Sequence, residues 1–364
     1  MIRKTRAVGH AAGMVALALM AQGAVAQDSG SSAQIYGVLD AGVEVGSTGA
    51  PGASSITQLN TGNQAANRFG IRVSEDLGGG LRAIANVEAA FAADTGVSLT
   101  LGEPAGTFFA RRSIVGLQGG FGELTLGRDY VPGFWTLVQT DRFRYGLPGT
   151  VSTPSQITIT RANNGIFYNT PSFGGVTGKF GYTLGAESAT VKDLGRVTSV
   201  SVEYKRGGLF ASLATTARKD LVPESTTATT SFKESGGGIE YAFAPFTVNL
   251  GFWNTDPVTA TADAIDKSRA VWIGAGYTIG RGQINFQMAR TRMDVVGRGE
   301  GDALTYGISY TYTLSRSTFL YAAHGRVSND ANVRLPLNTG SQRTGGTVFG
   351  ADPRAFLVGM RKVF

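Results

Sequence analysis

Few side chains in this chain have the type and spacing for bond-making chemistry. There are two histidines, His10 and His324, and no cysteine. His324 stands in YAAHGRVSN with Ser328 four residues later, a spacing compatible with one face and with the histidine and hydroxyl that a hydrolase needs. A lone histidine is far more often an ordinary wall or rim side chain. No cluster of His, Asp and Glu has metal-ligand spacing, and no phosphate-binding glycine loop leads from a strand into a helix, so neither metal nor cofactor is expected. What remains is charge. Arg68 and Arg72 share one side of an alternating stretch, opposite Phe69, Ile71 and Val73; Asp40 and Glu44 oppose Leu39, Val43 and Val45; Glu88 opposes Val87 and Ala89. Such groups steer ions wherever their side of the sheet meets water.

The elements that carry these residues read as strands. Gln34 to Val45, Leu81 to Phe91, Phe246 to Phe252 and Leu304 to Tyr312 repeat with period two, apolar or aromatic on one face and small or polar on the other. The ending AFLVGMRKVF alternates likewise, with Phe356, Val358, Met360, Lys362 and Phe364 opposite Leu357, Gly359, Arg361 and Val363. A content of 52 glycines, 10% aromatic and only 16% charged residues suits many strands and tight turns. The connections alternate between short and long. Short ones fall at Glu75 to Gly80, Gln118 to Gly122, Ser172 to Gly175, Lys205 to Gly208, Ala244-Pro245, Gly280 to Gly282 and Leu314 to Ser317. Long ones lie at 46–65, 92–107, 130–160, 186–196, 218–231, 254–268, 293–302 and 328–353.

At the amino end, Arg3, Lys4 and Arg6 precede an apolar run from Ala11 to Ala21, and Ala24-Val25-Ala26 precedes Gln27. That pattern predicts a cleaved secretory signal peptide over residues 1–26, too short for a permanent membrane helix. An exported chain without cysteine has no disulfide framework and must rely on backbone pairing and packing. Removal of the three signal cations lowers the formal charge from +7 to +4, too little to argue for nucleic acid. Mean hydropathy is near zero, and beyond the signal no apolar run reaches the roughly 18 residues of a spanning helix. The segments number about 16, an even count with both ends on the short-turn side, as expected of an outer-membrane barrel. The fold class expected is therefore all-β, a transmembrane antiparallel β-barrel over residues 27–364, apolar face outward and polar face around a water-filled interior. A barrel of roughly 16–18 strands is wide enough for an aqueous channel.

IYGVLDAGVEV at 35–45, NRFGIRVSEDLGGGLRAIANVEAAF at 67–91, RRSIVGLQGGFGELTLGRDYVPGF at 111–134, RANNGIFYNTPSFGG at 161–175 and the terminal VGMRKVF together resemble the trimeric general-diffusion porins of Gram-negative outer membranes, in particular the beta-proteobacterial branch. The resemblance covers nearly the whole mature chain. It implies a homotrimer in the outer membrane, and a long connection after the fifth strand, near 130–160, folded into the lumen as a constriction. Motif by motif it also implies a basic wall of Arg68 in NRFG, Arg128 in LGRDY and Arg161 in RANN. Strict alternation would instead place Arg128 outward with Leu124 and Leu126, so its lumen position needs a bulge or a strand end. Asp141 is the only carboxylate between Val131 and Thr160, with Arg142 and Arg144 beside it; the family's cation-preferring members carry more acid there, so this loop favours weak to moderate anion preference, with Arg72, Asp40, Glu44 and Glu88 as secondary lumen charges. Phe364 resembles the carboxyl-terminal signal read by the barrel-insertion machinery, although Lys362-Val363 departs from the usual pair before it.

The resemblance thus implies passive diffusion of ions and small hydrophilic solutes, with lipid and lipopolysaccharide as neighbours and without chemistry. A channel specific for one nutrient class would show much the same pattern, and block of ion current by a candidate solute separates the two. An adhesin barrel would share the long loops, but small structural barrels have about eight strands and a filled interior.

Overall fold

The computed structural model describes residues 30–186, 190–257, 259, 261–340 and 343–364; the expected signal peptide lies outside them. Alternating segments with β-branched and aromatic residues on one face become strands, and one antiparallel sheet closes on itself. Its sixteen barrel strands are β1 Ser32–Ser47, β2 Arg68–Gly78, β3 Leu81–Phe91, β4 Arg112–Gly119, β5 Gly122–Tyr130, β6 Arg161–Asn169, β7 Val176–Thr183, β8 Val197–Arg206, β9 Leu209–Leu221, β10 Thr229–Phe243, β11 Phe246–Asp256, β12 Ile265–Ile279, β13 Gly282–Val295, β14 Gly299–Ser315, β15 Thr318–Asn329 and β16 Arg354–Val363. Each pairs with the next along the chain. Of four further short strands, Ile56–Thr61 and Ser98–Leu99 are loop segments laid on β1 and β3, and Leu337–Asn338 and Arg343–Thr344 pair with each other.

Closure falls on β1. Ser32 to Val38 pair with β2, and Val38 to Ser47 pair with β16. The last residue extends that second ladder: the Gly37 amide donates to the Phe364 carbonyl at 2.9 Å, and the Phe364 amide to the Gly37 carbonyl at 3.1 Å. A Cβ at Gly37 would lie 2.3 Å from the Phe364 ring, so a side chain there would displace the terminal aromatic.

The period of two sorts the faces as expected. On β1, Ile35, Leu39, Val43 and Val45 point outward and exposed, while Asp40 and Glu44 are inward and buried. At the short-turn end the outward face carries a row of adjoining rings, Tyr241, Phe243, Phe246 and Tyr277, with neighbouring centroids 5.2 to 5.8 Å apart, the pattern of an interfacial girdle. One expected long connection is absent. Instead of a loop over 293–302, β13 and β14 run on to a tight turn, with Val295 opposite Gly299. Alternation persists there because Met293, Val295 and Ala303 are inward apolar residues that pack with Val333, Leu335 and Leu337.

The polar inner face does more than meet water. The connection after β5 enters the barrel as helix α1, Pro132–Thr140, with proline in its first turn where no amide partner is needed. It buries Phe134 and Leu137 among Phe167, Val197, Phe232, Trp253 and Trp272. Wall side chains then satisfy the backbone of the loop. Trp272 Nε1 and Asn249 Nδ2 donate to the Thr140 carbonyl at 2.9 and 2.7 Å, and Glu234 Oε1 accepts the Thr158 amide at 2.7 Å. The Thr255 and Thr291 hydroxyls donate to the Ser155 and Pro154 carbonyls at 3.0 and 3.1 Å. The loop tip rests directly on the wall: Gly149 has φ +102°, and a Cβ on Gly307 of β14 would lie 2.3 Å from the Pro148 carbonyl oxygen. Replacing Gly307 by Val overpacks this contact by ~1–3 kcal/mol and should lift the tip off the wall. The expected result is a single-channel conductance different from wild type, with the barrel still folded by heat-modifiable gel mobility; an unaltered conductance would mean that the tip does not set the width of the passage.

Candidate functional site

Asp141 shows what the inserted loop requires. Its Oδ1 accepts Gln287 Nε2 at 2.7 Å and the Phe143 amide at 3.1 Å, while its Oδ2 accepts the Tyr145 amide at 2.7 Å and the Thr150 hydroxyl. The carboxylate is fully buried, and burial pushes it above the usual carboxylate range against the pull of these donors. It therefore organises the turn and is shielded from the open lumen. Its neighbours Arg142 and Arg144 both reach Glu240 of β10, at 3.0 and 2.6 Å.

The first connection also folds inward. Asp40 Oδ2 accepts the Gln64 and Ala65 amides at 2.9 and 2.8 Å, its Oδ1 accepts the Tyr321 hydroxyl, and its own amide donates to Asn67 Oδ1 at 2.6 Å. Glu44 accepts Asn60 Nδ2 at 2.6 Å and the Thr344 hydroxyl at 2.9 Å. Both carboxylates were expected as lumen charges. They do point inward, but the loop they hold covers them, so neither faces open water. The two inserted segments meet where the Leu147 amide donates to the Asn63 carbonyl at 2.6 Å.

Between these segments and the wall lies a cavity of about 600 Å³. Arg68 and Arg161 both line it, joined by Arg111, Arg144 and Arg361, and among the described residues no carboxylate side chain does. A smaller cavity of about 230 Å³ shares Arg144, Arg361 and Gln64 with it, adds Arg142, and is likewise lined by no Asp or Glu. Arg68 enters at the first residue of β2, in register with Val38 and Ala90. Among the described residues its guanidinium forms neither a hydrogen bond nor an ion pair. Arg161, at the first residue of β6, donates to the Tyr130 hydroxyl and lies 4.1 Å over the Tyr130 ring. Arg111 donates to the same hydroxyl at 2.6 Å and pairs with Glu88 at 3.2 Å. Glu88 also accepts the Tyr36 hydroxyl at 2.7 Å, and Arg72 sits 4.9 Å over the Tyr36 ring. Glu88 and Arg72 thus belong to a wall network beside the cavity.

Arg128 stands apart. It is in register with Ser113 on the outward row of β4 and β5, and the irregularity lies just beyond, between Gly127 and Asp129. Its side chain turns to the loop, pairing with Glu103 at 2.7 Å and donating to the Ala110 carbonyl at 2.8 Å. It does not line the cavity. Arg111 takes that place, and alternation hid it: it precedes β4, whose first residue Arg112 also turns inward to a two-bond pair with Asp129 at 2.9 and 2.7 Å. Arg361 was open to detection, since the terminal strand sets it opposite Phe356, Val358 and Met360. His324 is in register with Ile308 and Phe356 on the outward face, while the Ser328 hydroxyl donates to Asp352 at 3.2 Å; the spacing brings no histidine–serine pair together.

A family model described as Gram-negative porin matches residues 12–332. Outer membrane porin protein 32 of Delftia acidovorans is 30% identical over 365 aligned positions, covering 96% of this chain and 99% of that protein. An outer membrane porin protein of Bordetella pertussis is 24% identical, covering 87% and 94%. Among solved structures, an anion-selective porin from Comamonas acidovorans superposes with a TM-score of 0.78 at 29% identity, over 92% of this chain and 100% of that one. The trimer form of OmpT from Vibrio cholerae shares the fold, with a TM-score of 0.66 at 14% identity over 93% and 100%. With its closed sixteen-strand barrel, the chain belongs to the Gram-negative porin family, and it is an outer-membrane channel for passive diffusion.

Proposed function

We propose that this porin prefers anions and acts as a homotrimer. One observation carries the preference: the cavity beside the inserted loop is lined by five arginines and, among the described residues, by no carboxylate side chain. Cationic linings favour anions, and a narrow aqueous path between low-dielectric walls focuses their field. Compensation within the site is partial. Arg111 is matched by Glu88, and Arg142 and Arg144 share Glu240, whereas Arg68, Arg161 and Arg361 form no ion pair among the described residues. The anion-selective porin from Comamonas acidovorans supports the reading by likeness, and the trimeric Vibrio cholerae structure does so for assembly. No chemical step is part of this function, and the solute range is set by width and charge. The Phe364 terminus, held in the closing ladder, serves in this reading as the signal for barrel insertion.

The arginines differ in their expected weight. Replacing Arg68 and Arg161 together by Ser should lower the chloride-to-potassium permeability ratio about threefold or more in a salt gradient, the effect of roughly 0.7 kcal/mol on a tenfold scale of 1.4. Arg128→Ser should change it far less, because Glu103 neutralises that side chain outside the cavity. Equal effects from both variants, or none from the double variant, would contradict the assignment. Deleting Phe364 removes two closing hydrogen bonds and should reduce the yield of folded barrel in the outer membrane; undiminished assembly would remove its signalling role.

A further inference from the structure

The lumen side of α1 has a composition that charge selection alone does not require. Pro132, Gly133, Phe134, Thr136, Leu137 and Thr140 are buried against the wall, so Trp135, Val138 and Gln139 form the opposite face at helical spacing. Trp135 is 36% exposed, and it and Val138 line the 600 Å³ cavity. An exposed indole in a water-filled passage is the informative kind of exposure. The ring is also held in place, 5.0 Å from the Tyr130 centroid and 5.7 Å from that of Phe134. The same cavity contains Arg68, whose guanidinium forms no hydrogen bond or ion pair among the described residues, and Arg161, stacked on Tyr130. An apolar wall and a guanidinium wall therefore bound one space.

We infer that the passage favours organic anions in which a carboxylate is joined to a flat apolar body, the class of aromatic carboxylates. The inference rests on the anion preference above and goes further, to the kind of anion. Arg68 offers its planar fork for two parallel N–H···O bonds to the carboxylate, while the solute ring packs offset or edge-on against Trp135. Inorganic anions use only the arginines. Because Arg161 and Arg361 line the same cavity, the carboxylate passes from one guanidinium to another, and the several weak sites let the solute leave as well as enter.

The test is a bi-ionic reversal potential across a planar bilayer holding the full protein, with sodium benzoate on one side and sodium acetate on the other. Acetate is the smaller and faster ion in water. The expected benzoate-to-acetate permeability ratio is above one for wild type, lower by about threefold or more in W135S through loss of ring contact, and still above one in W135F. V138S, on the same helix face, should lower the ratio as well and serves if W135S does not assemble. A wild-type ratio below one, or one that neither serine variant lowers, overturns the inference. The chloride-against-sodium potential of wild type separates the two levels of the account. Chloride preference with a benzoate ratio below one removes only the aromatic selectivity, whereas absence of chloride preference removes the reading on which it rests.

Discussion

Inside a bilayer no water is at hand for an open backbone N–H or C=O, so every strand edge must meet another strand. The remaining features of this molecule depend on that constraint. It demands a closed ring, whose joint lies between β1 and β16, where Phe364 extends the ladder to Gly37. Closure in turn forces alternate residues outward into lipid and inward into the lumen. A ring of sixteen strands is too wide for side chains to fill, which leaves room for connecting segments to fold back inside.

Those segments convert a wide pipe into a lined passage, and the polar inner face is what holds them. Glu234, Asn249, Thr255, Trp272, Gln287 and Thr291 satisfy loop carbonyls and amides that would otherwise be buried without partners. Acidic groups are consumed in the same work. Asp40 and Glu44 hold the first connection and Asp141 organises the second, so carboxylates counted along the sequence are withdrawn from the water path. In the proposed reading, the arginines that remain on it set its sign.

Much of the architecture was legible from alternation and loop length, namely the closed β-barrel and the strand count, while the inserted connection near 130–160 followed only from the family resemblance. Arg68 reads as inward because Phe69, Ile71 and Val73 oppose it. Legibility fails where the chain leaves regular strands. Arg111 turns inward beside Arg112, which a period of two forbids, and Arg128 keeps its outward register although the motif suggested otherwise. Asp40 looked like a lumen charge because alternation gives a direction but says nothing of the loop that covers it. The lumen face of α1 could not be read at all, since nine residues with one proline in the first turn give little helical periodicity. The apolar residues at Met293 and Val295 extended a hairpin through a stretch whose composition suggested a loop.

The central claim is that arginines only partly matched by acids, on a lining with no carboxylate side chain among the described residues, give the channel its sign. The most direct test is the zero-current potential of the wild-type protein in a potassium chloride gradient, repeated at rising ionic strength. The account predicts chloride preference that weakens as salt screens the guanidinium groups, the Debye length falling from about 10 Å at 0.1 M to about 3 Å at 1 M. A potential at or beyond zero toward potassium at low salt would contradict it.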